Sequence, residues 1–238
     1  MNPQIFIISW TGQHENAAHI ARELLDLTSN ISIVYSDTDP GLEIDVPCRL
    51  IKRPNELYWG DKLKACLDAC GDDPMLVIHA DCTFDDWKAL FRRNIEVVTK
   101  FPFVGVWAPK IDWVGWKIET HTIMPINKDL VAVGRTDGIL FYLSPRIIKR
   151  MRHANYSKNV FGRGIEVMFV LAAYMRGMIA VIDKSIEVKH PQASGYSEKE
   201  AHAQFTEFLK QLDIREEIQR RLIIAARKGK GWRPNIPT

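Results

Sequence analysis

The 238-residue chain is 46% apolar and 26% charged with a net charge of +3, the composition of a globular protein with a substantial core, within reach of one domain. No stretch approaches the ~20 uninterrupted apolar residues of a membrane helix. The start, Met1-Asn2-Pro3-Gln4-Ile5, lacks the basic segment and cleavage site of a secretion signal, so a cytoplasmic protein is expected. Cys48, Cys66, Cys70 and Cys82 fit no zinc spacing and read as small buried residues of a reducing compartment. Charge is uneven. From Arg215 onward there are seven Lys/Arg against two Glu, and 25 against 27 acidic residues elsewhere. The basic end reads either as a contact for anionic lipid, nucleic acid or a partner, or as a solvated terminal helix with a frayed end.

In chain order, Ile5–Trp10 is a β-rich apolar run and predicts a buried first strand. Apolar residues at helical spacing predict a helix from Glu15 to Leu27. Ser32–Tyr35 and Arg49–Lys52 predict strands, separated by the turn cluster Ser36–Gly41. Asp61–Cys70 predicts a helix with Leu63, Cys66, Leu67 and Cys70 on one face. Met75–His79 predicts a fourth strand. Asp85-Asp86-Trp87 opens a helix to about Lys100, its acids suited to the first turn, and Phe103–Trp107 predicts a fifth strand. This alternation implies parallel βαβ units with helices on both faces, and ligands in such sheets sit beyond the carboxyl ends of the strands.

The second half is less regular. Pro109–Asn127 predicts an irregular hairpin, Gly138–Leu143 a strand and Pro145–Met151 a short helix. Ile165–Arg176 predicts a helix capped by Gly177. Ile179–Ile182 and Ile186–Val188 predict two strands. Ser197–Leu212 predicts a helix opened by a Ser197-x-x-Glu200 capping box.

Several polar residues fall at strand ends or loop exits. Asp81 closes the run Met75-Leu76-Val77-Ile78-His79-Ala80-Asp81; it reads as a ligand for a hard cation or as a turn cap. Glu166 follows Gly162-Arg163-Gly164 at a helix start; it reads as a base for an acceptor hydroxyl, or as an ordinary first-turn acid. The glycines before it read as room for close approach of a ligand. His190, extended by Pro191, reads as a metal ligand or a packed residue. Asp137-Gly138 reads as a hydroxyl-binding group or a simple turn. Lys62, in Trp59-Gly60-Asp61-Lys62, together with the amides of that helix start, reads as a phosphate site. Trp113 and Trp116 read as a stacking platform or as core. His14, His19, His121, His153 and His202 show no paired spacing and are left without a role. No Gly-x-Gly-x-x-Gly, P-loop or Gly-x-Ser-x-Gly motif occurs.

In order and spacing, these residues resemble a GT-A-fold glycosyltransferase, similar to glycosyltransferase family two, over roughly residues 5–196. The resemblance implies a single α/β domain with a mixed, mostly parallel central sheet flanked by helices. It implies a nucleotide-binding half over about 1–108, an acceptor half over about 109–212, and a basic C-terminal helix and tail over 213–238. His79-Ala80-Asp81 would stand for the family's Asp-x-Asp, with His79 in place of its first acid. Ser9, Thr11, Asp37, Lys62, His79 and Asp81 would lie on the donor side. Asp137, Gly138, Trp113 and Trp116 would lie on the acceptor side. Asp81 and His190 would hold Mn2+ or Mg2+, and Glu166 would be the base of an inverting transfer from a nucleotide-diphosphate sugar. His190-Pro191-x-x-x-Gly195-Tyr196 resembles the closing segment of such enzymes. The acceptor would be a glycan, or DNA gripped by Lys228–Arg233. A nucleotidyltransferase is an alternative, although Ser9–His14 is not its glycine-rich basic loop. A non-enzymatic nucleic-acid or partner-binding module is another.

Overall fold

β1 (Gln4–Ser9) has five consecutive buried residues, so both its faces must be covered. It lies in the sheet interior with a parallel neighbour on each side, β2 (Ile31–Tyr35) and β4 (Met75–His79), and β3 (Arg49–Lys52) pairs parallel outside β2. The computed structural model describes residues 2–112, 115–191, 196–229 and 234. Between these strands run α1 (His14–Leu25) and α2 (Trp59–Ala69), and α3 (Trp87–Lys100) follows β4. The predicted face of α2 is fully buried at Leu63, Cys66, Leu67 and Cys70. Asp86 does not enter the first turn of α3: it caps the helix, accepting from the Ala89 amide at 2.8 Å. All four cysteines are free thiols, and Cys66, Cys70 and Cys82 are buried.

Beyond α3 lie β5 (Val104–Ile111), the one-turn α4 (Ile118–His121), β6 (Thr122–Pro125), β7 (Leu130–Val133), β8 (Leu140–Leu143), α5 (Pro145–Met151), α6 (Ile165–Met175), β9 (Ile179–Val188), α7 (Glu198–Leu209) and α8 (Ile214–Arg227). The sheet order is β3-β2-β1-β4-β8-β5-β9-β7-β6. β5 does not continue the parallel set beside β4. The fully buried β8 enters antiparallel between them, and among the described residues β5 pairs with β8 and β9. Apolar runs report burial, not direction, so this inversion has no signature in the strand itself.

The two short strands expected over 179–188 are one, β9. Its polar centre survives because Asp183 is fully buried and accepts from Arg93 Nε at 2.8 Å and Trp107 Nε1 at 3.4 Å. A bulge opposite Pro109 and Lys110 absorbs the extra residues. Gly177, with φ +67°, follows α6 as a left-handed cap. At α7, Ser197 caps the Glu200 amide, and the reciprocal capping box occurs at Asp213 and Glu216 of α8. α8 is not simply solvated. Ile223 and Ala226 are buried, the helix packs on α6 and β6, and Glu216 accepts from Arg150 Nε at 2.7 Å. Of the basic segment Lys228–Arg233, residues 230–233 lie outside the described residues. No helix among the described residues is long and apolar enough to cross a membrane.

The loop 159–164 fixes the start of α6. Buried Asn159 accepts from the Gly162 amide and donates to the Arg163 carbonyl. The Gly60 amide donates to Val160 O at 3.0 Å. A Cβ on Gly162 (φ +73°) would lie 2.2 Å from Trp59, and one on Gly164 (φ +76°) 2.1 Å from Phe205. These glycines admit aromatic side chains of the protein itself, and both also line a large cavity. Gly164→Ala combines left-handed strain with overpacking, and is expected to destabilise by about 2–5 kcal/mol in urea unfolding. A loss below about 0.5 kcal/mol would show that the loop relaxes freely.

Candidate active site

A cavity of about 920 Å³ opens over the carboxyl ends of β1 and β4, within the roughly 300–1,000 Å³ typical of small-molecule sites. Of the expected site residues, Thr11, Lys62, His79, Asp81, Trp116, Asp137, Gly138, Glu166 and His190 all line it. Trp113 lies outside the described residues, as does Gly195 of the closing segment.

Two strands bring the metal-type ligands together. β4 delivers His79, and Asp81 follows it. The chain leaving β9 is tied to this turn by a reciprocal pair, Thr83 N to Lys189 O and Lys189 N to Thr83 O, both 3.0 Å. His190 Nε2 thereby reaches 3.2 Å from Asp81 Oδ2. Ligand atoms of His79, Asp81 and His190 all lie within 4.8 Å of one another. His79 Nε2 and Asp81 Oδ1 are buried without hydrogen-bond partners among the described residues. Unpartnered buried polar atoms are costly, and a cation is the group that would satisfy this set. Burial drives the His79 imidazole down to about 4, against the pull of Asp81, which leaves a neutral ring able to ligate. Burial pushes the Asp81 carboxyl up, but the His190 hydrogen bond and the charges of both imidazoles bring it below its ordinary value. His79, expected on the donor side, is thus also the third member of the cluster. Trp10 and Trp59 meet its ring edge to face at 5.9 and 4.7 Å.

Glu166 stands in the first turn of α6, held by the loop just described. Burial pushes its carboxyl up to about 7, opposed by the Arg135 guanidinium, whose Nε is 3.8 Å away. That distance is too long for a hydrogen bond. The Asp137–Gly138 turn packs against this acid: a Cβ on Gly138 would lie 3.4 Å from Glu166 Cβ. Asp137 Oδ1 accepts from the Ile139 amide at 2.9 Å, and burial pushes its carboxyl up to about 6. The turn reading and the cavity-lining position hold together. Arg135 also lies over the Trp116 ring, 5.5 Å from its centroid.

The remaining residues expected on the donor side are arranged differently from one another. Ser9 is fully buried and does not line the cavity; its Oγ meets His14 Nδ1 at 2.8 Å, and His14 Nε2 meets Asp37 Oδ2 at 2.8 Å. Asp37 is held near 2 by the Asp39 amide first, then by His14 and Thr11. This relay pins the ends of β1 and β2 and the start of α1 beneath Thr11. It gives His14 a positioning role that its isolated place in the sequence did not reveal. Lys62 Nζ donates to Leu57 O at 3.1 Å, and burial pushes it down to about 8, partly offset by Asp61. With the Gly60 amide engaged by Val160, the start of α2 is a less open phosphate cradle than expected.

The sequence reading missed Arg135 and the aromatic wall. Phe161 stacks on Tyr196 at 4.7 Å and meets Tyr58 edge to face at 5.0 Å, and all three line the cavity. Arg135 carries no spacing signal beyond standing two residues before Asp137. Trp10 and Trp59 had one: each lies where a strand ends or a helix begins.

No protein-family model matches the chain, and no curated protein matches it in sequence. In three dimensions it is similar to GalNAc-T7 solved with UDP, GalNAc and Mn2+, at a TM-score of 0.61 and 9% identity. That match covers 82% of this chain and 44% of the other, so the chain spans less than half of that protein's length. It is also similar to a Bacillus anthracis protein described as a glucose-1-phosphate thymidylyltransferase, in complex with sucrose. There the TM-score is 0.50 and the identity 13%, over 91% of this chain and 95% of that one. The chain has the nucleotide-diphospho-sugar transferase fold. Identities this low carry the architecture only, and the reaction has to be argued from the site.

Proposed function

We propose that the protein is a metal-dependent glycosyltransferase, similar to family two, that moves a sugar from a nucleotide diphosphate to an acceptor hydroxyl with inversion. The observation that carries this reading is one cavity lined both by a cation-type cluster and by a separate carboxyl raised to about 7. His79, Asp81 and His190 would hold the cation. Two imidazoles and one carboxylate favour a transition cation such as manganese over magnesium, which prefers oxygen ligands. When bound, such an ion offsets negative charge on a leaving diphosphate. Thr11 and Lys62 would meet the nucleotide, and the aromatic wall would pack on the sugar. Asp137 and Trp116 would orient the acceptor, while Glu166 takes its proton as the hydroxyl attacks the anomeric carbon from the face opposite the leaving group. Residues 1–108 would supply most donor contacts and 109–212 the acceptor contacts.

Thermal-shift measurements with UDP-, GDP-, TDP- and CMP-sugars test the reading. One donor at a hundred times its Kd is expected to raise Tm by on the order of 5–10 °C, and only with manganese present. No shift with any donor would overturn it. The full-length match to the thymidylyltransferase-like structure favours a second reading, nucleotidyl transfer. Incubation with a sugar-1-phosphate and nucleoside triphosphates separates the two: pyrophosphate release would select the second.

A further inference from the structure

Glu166 and Arg135 face a second, smaller cavity of about 280 Å³, bordered by α6, α7 and α8 and partly open. It abuts the first: Arg135, Arg163, Gly164 and Glu166 line both. Four arginines reach the smaller cavity, and they are not equivalent. Arg163 is paired with Glu198, and Arg220 makes two hydrogen bonds to Glu217, at 2.8 and 2.9 Å. Arg135 has the face of Trp116 and the distant Glu166 carboxyl, and no closer anionic partner among the described residues. Arg227 has no ion pair among the described residues. The Nε atoms of both Arg135 and Arg227 are buried without a hydrogen-bond partner among the described residues.

The Arg135 side chain is 39% exposed and Arg227 half-buried, so the cost falls on the two buried Nε atoms and not on whole buried charges. Guanidinium groups do not lose their charge in proteins, and a buried unpaired donor costs free energy with nothing in return. Burial first, and then the charge of Arg135, bear on Arg227, and both arginines bear on the buried ring of His121 nearby. The fold makes room for the arrangement: a Cβ on Gly134 would lie 2.5 Å from Arg227 Cδ, so this glycine admits the arginine stem.

We infer that Arg135 and Arg227 form an anion subsite that holds a phosphoryl group carried by the acceptor, beside the base Glu166. A phosphoryl group has enough acceptor oxygens to meet two guanidinium forks together, whereas the two oxygens of a carboxylate are satisfied by one. The small volume, about 280 Å³, fits a single such group rather than a run of phosphates along a polymer. The word acceptor rests on the transferase reading; the anion subsite itself does not.

The test is binding of inorganic phosphate to the full chain at pH 8, followed by thermal shift, with dimethyl phosphate and acetate at equal ionic strength. Phosphate is expected to stabilise the wild-type protein and acetate to leave it unchanged. A dimethyl phosphate response equal to that of phosphate assigns a diester; a weaker one assigns a monoester. Arg227 does not line the larger cavity, so Arg227→Gln should weaken phosphate by roughly tenfold or more while leaving the manganese-dependent donor shift in place. Gly134→Ala, which keeps the guanidinium but displaces its stem, should weaken phosphate in the same direction, and it decides the matter if Arg227→Gln does not fold. Phosphate binding unchanged in both variants, or acetate binding as well as phosphate, would overturn the subsite. A wild-type protein that binds phosphate through Arg227 but no nucleotide sugar would leave the subsite standing and remove the transferase reading.

Discussion

On the proposed transferase reading, Glu166→Gln should lower kcat by roughly a hundredfold to ten-thousandfold with donor binding retained, because it would remove the base and keep the shape. The same substitution should make the protein more stable at neutral pH. The wild-type carboxyl ionises near 7 when folded, against an ordinary value of 4.5. Between those values the folded protein holds a proton that the unfolded chain has released. Stability is therefore fully present below about 4.5 and falls as pH rises towards 7. The penalty at pH 8 is on the order of 3 kcal/mol, and a glutamine does not incur it. Expected, then, is a variant that is slower yet melts higher at pH 8 and no higher at pH 4. Wild-type kcat/KM should rise through about pH 7 and this limb should vanish in the variant. An active, pH-insensitive Glu166→Gln enzyme would remove Glu166 from the chemistry.

Asp81→Asn is expected to have the second large effect. It removes the one carboxylate that the cluster has among the described residues, and with it the oxygen that His190 Nε2 meets at 3.2 Å. Turnover should fall by on the order of a thousandfold, since a bound cation is worth several kcal/mol of charge stabilisation. The manganese-dependent donor shift should disappear, while Tm in the presence of a chelator stays close to the wild type. His79→Asp provides the complementary measurement. It replaces a nitrogen ligand by oxygen and should move the preference from manganese towards magnesium. Donor binding by Asp81→Asn that still responds to manganese would place the cation elsewhere.

Much of this arrangement was legible in the sequence. Met75–His79 and Pro145–Met151 have the predicted bounds, because each is bracketed by turn residues and carries unbroken burial or a proline at the helix start. Asp81, Glu166 and His190 could be singled out because each stands where a periodic segment begins or ends, and distance along the chain does not prevent their convergence. What could not be read depends on partners. Nothing in Leu140–Leu143 says that it runs against β4. Asp183 looks like a strand breaker until Arg93 and Trp107 are placed beside it. β7 was not predicted, although at four residues it is as long as β3, which was. His14 and Arg135 have no motif, and their roles appear only once Asp37 and Glu166 are next to them.

The position of β8 has a consequence for any attempt to take the molecule apart. A fragment ending near residue 108 would keep β5 but neither of its neighbours, and would bare the flank of β4, an apolar strand. Exposed apolar edges of this kind recruit other chains, so the amino-terminal half expressed alone should precipitate instead of binding nucleotide. The late segment 140–143 is the keystone between early and late parts of the chain. On the ribosome, the early strands would wait for it before the sheet could close.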